Sequence, residues 1–164
     1  MPKIDFTKVE LRKGSTYPAP YNQEMRGRSQ MALGDAGGLS QFGVNLVKLE
    51  PSAKSSIRHW HEKQDEFVII TEGELILVDN SGETEMNSGD CATFPAGDPN
   101  GHNFVNRTNK PASLLVVGTR TETETGYYSD IDMMVKFDNK GFYFTKKKRN
   151  SHKGVKQKNF RSLI

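Results

Sequence analysis

Two histidines separated by one residue, His59 and His61, have the types and spacing of metal ligands. Successive side chains of a strand point to opposite faces, so residues two apart share a face and both imidazoles can reach one ion. A carboxylate follows at Glu66, and a third histidine at His102. A mixed nitrogen and oxygen set suits a divalent transition metal better than Mg²⁺ or Ca²⁺, which prefer oxygen ligands. An octahedral ion held by such a set would keep open positions for water or substrate.

These residues belong to two spaced motifs. The first comprises His59, His61, Glu66 and Gly73, and the second comprises Gly89, Pro95, Gly97, His102 and Asn106. Over roughly Ser40 to Thr119, the pair resembles the two-part motif of the cupin family. The resemblance implies an all-β fold, a double-stranded β-helix (jelly-roll) barrel. It also implies that His59, His61, Glu66 and His102 are the metal ligands.

Two details of the motifs leave the ligand set open. The segment from Asp98 to Gly101 separates Gly97 from His102 and is longer than the family usually has, so this loop could displace His102. Asp65 stands beside Glu66, and because adjacent strand residues face opposite ways, only one of the two carboxylates can reach the metal. Glu66 matches the commoner spacing.

Short strands must position these ligands. Apolar residues alternate from Gln41 to Glu50, which predicts a strand with Phe42, Val44 and Leu46 on one face. Turn residues recur every eight to twelve positions, as a sandwich or small barrel requires. We predict four regions: an N-terminal arm over residues 1–28, the barrel over 29–120, a linker with a C-terminal hairpin over 121–145, and a basic, disordered tail over 146–164.

The two extensions carry their own signals. Prolines at 18 and 20 disfavour helix in the arm, where Tyr17 and Tyr21 could serve as anchors, even on a neighbouring subunit. The turn residues Asp138 to Gly141 predict a hairpin. From Lys146 onward there are eight Lys or Arg and no acid, so the net charge of +3 belongs to the tail. Without stacking aromatics, this charge does not point to nucleic acid.

Composition sets the broad class. The 164 residues fit one domain, and no apolar run is long enough to span a bilayer. The N-terminus lacks the apolar stretch of a signal peptide, so we expect a cytoplasmic protein without membrane contact. Cys91 is the single cysteine, and its strand-like surroundings predict an inert, buried thiol. Unpaired sheet edges and the terminal arms lead us to expect a homodimer.

Two functional hypotheses follow. The first is a metal-dependent enzyme of oxygenase, isomerase or lyase type, acting on a small polar organic molecule with Fe, Mn, Ni or Zn. The second is a non-catalytic, metal-dependent binding or sensing protein, because no acid or base is evident beyond the ligands. A structural zinc site is a weaker reading, since closed structural sites favour cysteine. The substrate pocket is predicted to be lined by Ile57, Val68, Phe104 and Phe42.

Overall fold

A computed structural model describes residues 3–147 and the strand Lys156–Gln157. The remainder of the predicted basic tail lies outside these residues. The described chain is almost entirely β structure, as predicted, with one four-residue helix, α1 (Leu33–Ala36), and two short 3-10 turns, Phe6–Lys8 and Tyr21–Met25. Its strands are β1 (Leu11–Lys13), β2 (Arg28–Ala32), β3 (Phe42–Leu49), β4 (His59–His61), β5 (Glu66–Glu72), β6 (Glu74–Asp79), β7 (Gly82–Asn87), β8 (Cys91–Phe94), β9 (Asn103–Val105), β10 (Ala112–Thr119), β11 (Glu124–Tyr128), β12 (Met134–Asp138), β13 (Gly141–Thr145) and β14 (Lys156–Gln157).

The strands form three antiparallel sheets. The largest has the order β1-β2-β3-β10-β5-β8, the second has the order β14-β13-β12-β11-β4, and the third is β7-β6-β9. Neighbours such as β3 and β10 are distant in the chain, which is the connectivity expected of a jelly-roll rather than of a meander. The predicted fold class is therefore confirmed.

On β3, the side chains that face the core are the alternate set to the predicted one, shifted by one residue. Asn45, Val47 and Leu49 are buried, whereas Phe42 is 39% exposed and Val44 is only half-buried. Apolar residues occupy both faces of this strand because α1 covers its outer side, where a Cβ on Gly34 would lie 2.8 Å from the backbone nitrogen of Val44. The alternation therefore did not reveal which face was inward.

The main core lies on the inner side of the six-stranded sheet. Its buried side chains come from β3, β5, β6, β7, β9 and β10 and from the connection after β3. They comprise Val47, Leu49, Ala53, Val68, Ile70, Leu75, Met86, Phe104, Ala112, Leu114 and Val116. Branched aliphatic residues dominate this set, as expected for strands packed face to face. The free energy from burying them holds the first sheet against the third.

A second apolar cluster is built from the two ends of the chain. It comprises Met25, Ile57, Tyr128, Met133, Val135 and Phe142, with Tyr17 and Tyr21 packed against it. The predicted C-terminal hairpin is present, with Asp138 opposite Gly141. The arm thus uses its tyrosines on its own chain. The C-terminal hairpin and the arm together cover the side of the molecule where β4 lies.

The outer face of the six-stranded sheet corrects the prediction for Cys91. On the edge strand β8, Ala92 and Phe94 face the core, so Cys91 and Thr93 face outward and the thiol is exposed. Among the described residues, no helix is long and apolar enough to cross a membrane.

Candidate metal centre

The three-residue strand β4 presents its two histidines on one face. β4 pairs with β11, so that His59 lies opposite Tyr128 and His61 opposite Gly126. The glycine at 126 is needed there, because a Cβ would lie 2.9 Å from a methyl group of Val135. The ring centroids of His59 and His61 are 4.9 Å apart. Both imidazoles therefore converge, as their spacing predicted.

Glu66 completes a compact group with these histidines. One ligand atom from each of His59, His61 and Glu66 lies within 4.8 Å of the others. The carboxylate of Glu66 lies 3.5 Å from Nε2 of His61, and it is only 8% exposed. Glu66 begins β5 in the first sheet, whereas both histidines belong to the second sheet. The group therefore joins two sheets.

His102 borders this group through Glu66. Its Nε2 lies 3.5 Å from Oε1 of Glu66, and its ring centroid lies 5.1 Å from that of His59, but it is not among the three mutually close ligands. Two backbone hydrogen bonds with His59, of 2.9 and 3.1 Å, fix its position. The longer loop ahead of it is accommodated by Gly101, where a Cβ would lie 1.8 Å from the hydroxyl of Ser129. The loop thus does not remove His102 from the site.

The structure distinguishes the two adjacent carboxylates. Asp65 is exposed, and its Oδ1 accepts a hydrogen bond of 2.8 Å from the backbone N–H of Ala96. Glu66 points the opposite way, into the site. Asp65 instead ties the end of β8 to β5, so the carboxylate in the candidate metal group is Glu66.

Sequence reasoning missed Glu124, which lies behind His61. Its side chain is buried, with Oε1 3.9 Å from Nδ1 of His61, and it accepts backbone hydrogen bonds from Glu62 at 2.8 Å and Lys63 at 3.1 Å. A carboxylate in this position orients a ligating imidazole and raises its basicity. Thr and Glu alternate over residues 121–125 in the predicted linker. This period of two is also the period of a strand, and it is the signal that points to Glu124.

Hydrogen bonding and burial prepare these groups for a cation. Nδ1 of His59 lies 3.1 Å from the carbonyl oxygen of Ile57, so the N–H sits there and Nε2 is left as a ligand. Neither ring nitrogen of His61 or of His102 has a hydrogen-bond partner among the described residues, and all four are buried. Buried polar atoms left without partners are rare. The donor set therefore fits a divalent metal.

The protonation states agree with this fit. Burial, together with the neighbouring imidazoles of His61 and His102, lowers the pKa of His59 to about 3. Burial opposes ionisation of Glu66, but the contacts with His102 and His61 prevail and hold its pKa below the ordinary value. Burial raises the pKa of Glu124. At neutral pH His59 is a neutral ligand and Glu66 an anionic one, which are the forms that bind metals.

A cavity of about 220 Å³ opens from the metal group. Its first wall is the inner face of the six-stranded sheet, which contributes Arg12, Arg28, Gln30, Asn45, Val47, Glu66, Leu114 and Val116. Its second wall is the five-stranded sheet, which contributes His59, His61, Tyr128, Val135, Phe142 and Phe144. The volume suits one small ligand.

Of the four predicted pocket residues, Phe104 lines this cavity and three lie elsewhere. Val68 faces inward but is wholly covered by the main core, and Ile57 packs into the second cluster. Phe42 is on the outer face. The prediction did not foresee that the C-terminal strands supply most of the second wall, or that residues 12–17 of the N-terminal arm also line the cavity.

Two phenols, the half-buried Tyr17 and the buried Tyr128, lie beside the metal group. Their rings meet edge to face with centroids 5.4 Å apart, and their hydroxyls share a hydrogen bond. Burial raises the pKa of Tyr17 and, more strongly, that of Tyr128. The centroid of Tyr128 is 6.1 Å from that of His59. Both phenols therefore stay protonated at neutral pH. Because their shared hydrogen bond uses one hydroxyl hydrogen, the pair keeps one hydroxyl hydrogen to donate.

Comparison with known proteins adds a family and a relative. Residues 45–118 match the family model for the cupin domain. A sugar phosphate isomerase of the cupin superfamily from Silicibacter pomeroyi is 68% identical; the alignment covers 89% of this chain and 93% of that one, with a TM-score of 0.87. No curated protein matches the chain.

More distant structures share the fold. A protein from Acidithiobacillus ferrooxidans is 24% identical over 87% of this chain and 91% of its own, with a TM-score of 0.73. A polyketide cyclase from Streptomyces resistomycificus is 20% identical over 73% of this chain and 79% of its own, with a TM-score of 0.60. At these identities the likeness concerns the fold alone, which supports different activities.

Proposed function

Because the chain belongs to the cupin superfamily and is of the cupin-2 type, we propose that it is a metal-dependent isomerase acting on a sugar phosphate. The observation that carries the proposal is the 68% identity, along nearly the whole chain, to a protein described as a sugar phosphate isomerase. The cavity supports it, since it combines a candidate metal group with room for one small polar molecule. Among the reaction types expected from the sequence, this identity favours isomerisation.

We assign the metal to His59, His61 and Glu66, with His102 as a fourth ligand. Elemental analysis will identify the metal among Fe, Mn, Ni and Zn. A bound divalent ion would polarise a carbonyl oxygen of the sugar and thereby acidify the adjacent carbon. Three neutral imidazoles and one carboxylate around a divalent ion would give a net positive charge. The bound ion would therefore remain a Lewis acid.

The chain's own residues have defined tasks in an aldose–ketose exchange. That reaction moves one proton between C1 and C2 and a second proton between their oxygens. Tyr17 and Tyr128 line the cavity, and the one hydroxyl hydrogen that their shared hydrogen bond leaves over is suited to donate to a sugar oxygen. The apolar side chains of Val135 and Phe142 line the second wall and exclude water, which would otherwise compete for that oxygen.

A second candidate is a metal-dependent binding protein without catalysis. The observation favouring it is that, among the described residues lining the cavity, Glu66 is the only carboxylate. If Glu66 is fully committed to the metal, no separate carboxylate remains to act as a base. Such a protein would bind the sugar phosphate and release it unchanged.

Proton NMR in D₂O separates these functions. Metal-containing protein is incubated with a panel of aldose phosphates, from trioses to hexoses. The isomerase produces the corresponding ketose phosphate, or exchanges the C2 proton for deuterium, and EDTA or His61→Ala abolishes both changes. Binding without any new signal over long incubation would support the second candidate. Turnover that persists undiminished in metal-free protein would contradict the proposed function.

A further inference from the structure

One cation in the lining of the cavity, Arg28, has an unusual set of partners. Arg28 begins β2, and its guanidinium donates to the carbonyl oxygens of Ser55 at 2.6 Å and Gly14 at 3.1 Å, and to Oε1 of Gln30. All three acceptors are neutral. Among residues 3–147, the arginines with a carboxylate within 4.0 Å are Arg12, Arg58, Arg107 and Arg120. Arg28 therefore lines the cavity without a carboxylate partner from the described residues.

A guanidinium taken out of water is costly unless an anion compensates it. The surroundings of Arg28 are apolar enough that burial lowers its pKa, yet an arginine remains charged at neutral pH. Three of its five N–H groups are used by the protein, which leaves donors for a further acceptor. A cavity wall with a charged guanidinium that has unused N–H donors and only neutral partners is complementary to a negatively charged ligand.

A relay of amides extends from Arg28 towards the middle of the first wall. Because a guanidinium only donates, Gln30 must turn its oxygen to Arg28 and its NH₂ away from it. That NH₂ donates to Oδ1 of Asn45 at 2.8 Å, so Nδ2 of Asn45 is left over. Nδ2 is buried and has no partner among the described residues, although Asn45 lines the cavity. The relay thus ends in a hydrogen-bond donor, Nδ2 of Asn45, that can donate to an oxygen of a ligand.

Further positive charge stands at the mouth of the cavity. Arg12 lies opposite Gln30 in the β1–β2 pairing, and the neighbouring Lys13 also lines the cavity. Arg12 shares its charge with Glu10, 3.1 Å away. Glu66 is the only acidic residue among the described lining, and it belongs to the metal group. The field in the cavity therefore attracts anions along its length.

We infer that the first wall carries a phosphate subsite centred on Arg28, with Lys13 and Arg12 at its entrance and Nδ2 of Asn45 donating to a ligand oxygen. The ligand class is a phosphate monoester. That the rest of the ligand is a sugar depends on the proposed function, whereas the binding of the phosphate group does not. The metal and the subsite would hold the two ends of one molecule between them.

Inorganic phosphate is the probe that tests the subsite by itself. Titration calorimetry is carried out on metal-containing protein for the wild type and for Arg28→Met, which removes the guanidinium charge but keeps an unbranched apolar side chain. We expect phosphate to bind the wild type and the substitution to weaken binding on the order of 30-fold or more. Arg107→Met, an exposed arginine outside the cavity, is the matched control and should bind like the wild type.

Three results would overturn the inference. The first is that the wild type does not bind phosphate at millimolar concentration. The second is that Arg28→Met retains its metal and binds phosphate as tightly as the wild type. The third is that the control Arg107→Met loses as much affinity as Arg28→Met. The second of these would place the phosphate on the metal instead. If Arg28→Met does not fold, the double substitution of Arg12 and Lys13 by Met on the edge strand β1 replaces it. We then expect several-fold weaker binding, with the difference shrinking as salt is added.

Asn45→Asp tests the end of the relay. It preserves the acceptor for Gln30 but replaces the leftover donor by an oxygen, so we expect phosphate affinity to fall about tenfold; an unchanged affinity would exclude Asn45 from the subsite.

The subsite and the isomerase activity can fail separately. Phosphate binding without turnover of any aldose phosphate would leave the subsite and remove the isomerase, and turnover without dependence on Arg28 would do the reverse.

Discussion

The two walls of the cavity differ in what stabilises them. The first wall lies on the inner face of the six-stranded sheet. The same face continues into the main core, which includes Val68, Ile70 and Leu114 and stabilises this wall. The second wall belongs to a sheet made largely from the C-terminal strands, and a smaller cluster that includes aromatic residues of both chain ends supports it. The metal group takes Glu66 from the first wall and His59 and His61 from the second. A bound metal would therefore join a well-supported wall to a less supported one.

This difference implies a division of effects. Substitutions in the first wall's core should lower the stability of the whole protein. Substitutions in the second wall should act mainly on metal and ligand binding. The predictions that follow test this division, and the first three each include a control variant outside the cavity.

The largest effect is expected from His61→Ala. This change removes a second-wall ligand and leaves Glu66 without one of its two imidazole neighbours. Metal content should fall from about one ion per chain to almost none. Elemental analysis after gel filtration measures it. Trp60→Leu, on the same strand but stacked on Tyr127 outside the site, should retain the metal, and loss of metal in this control would undo the assignment.

Ile70→Ala tests the first wall. Ile70 is 1% exposed in the main core, and its truncation should lower the free energy of unfolding by about 2–5 kcal/mol. The folded fraction should still contain metal, because none of the ligands changes. Denaturant unfolding and elemental analysis measure the two quantities. The exposed Thr84→Ala should change stability by less than about 0.5 kcal/mol. Metal loss in folded Ile70→Ala would show that the two walls are not separable.

Glu124→Gln should have a smaller effect on the metal than loss of a ligand. The amide keeps the size of the side chain but weakens its hold on His61, so metal affinity should fall about 10- to 100-fold. Competition with a chelating dye gives the affinity. Glu122→Gln, two residues earlier and exposed, is the matched control. If both variants bind metal like the wild type, Glu124 serves only the backbone of residues 62 and 63.

The smallest effect concerns acid stability of the metal-free protein. The pKa of His59 is about 3 in the folded state and near 6.5 when unfolded, so the unfolded state binds more protons between these values. Stability should therefore fall as the pH is lowered from 6.5 towards 3. Glu66, with its lowered pKa, acts in the same direction. Thermal unfolding of wild type and His59→Gln over this range measures the slope, which should be shallower in the variant.

Sequence patterns predicted the metal group better than the walls of the cavity around it. The spacing of His59, His61 and Glu66 follows from the two-residue period of strands and from a motif, so the metal group was predictable. Glu124 and Tyr128 were not, because residues 121–126 are polar. Pairing with β4 and β12 makes Glu124–Tyr128 a strand in which alternate residues are buried. The role of Arg28 depends on the fold of the arm, which local patterns do not encode. The expected homodimer stays a prediction for light scattering.

Anomalous diffraction at the absorption edge of the metal found by elemental analysis tests the central claim most directly. The account predicts one peak between the two walls, about 2.0–2.2 Å from Nε2 of His59, from a nitrogen of His61 and from the carboxylate of Glu66, with His102 as the fourth ligand. A peak bound by side chains of only one wall, or no peak in protein that carries stoichiometric metal, would contradict it.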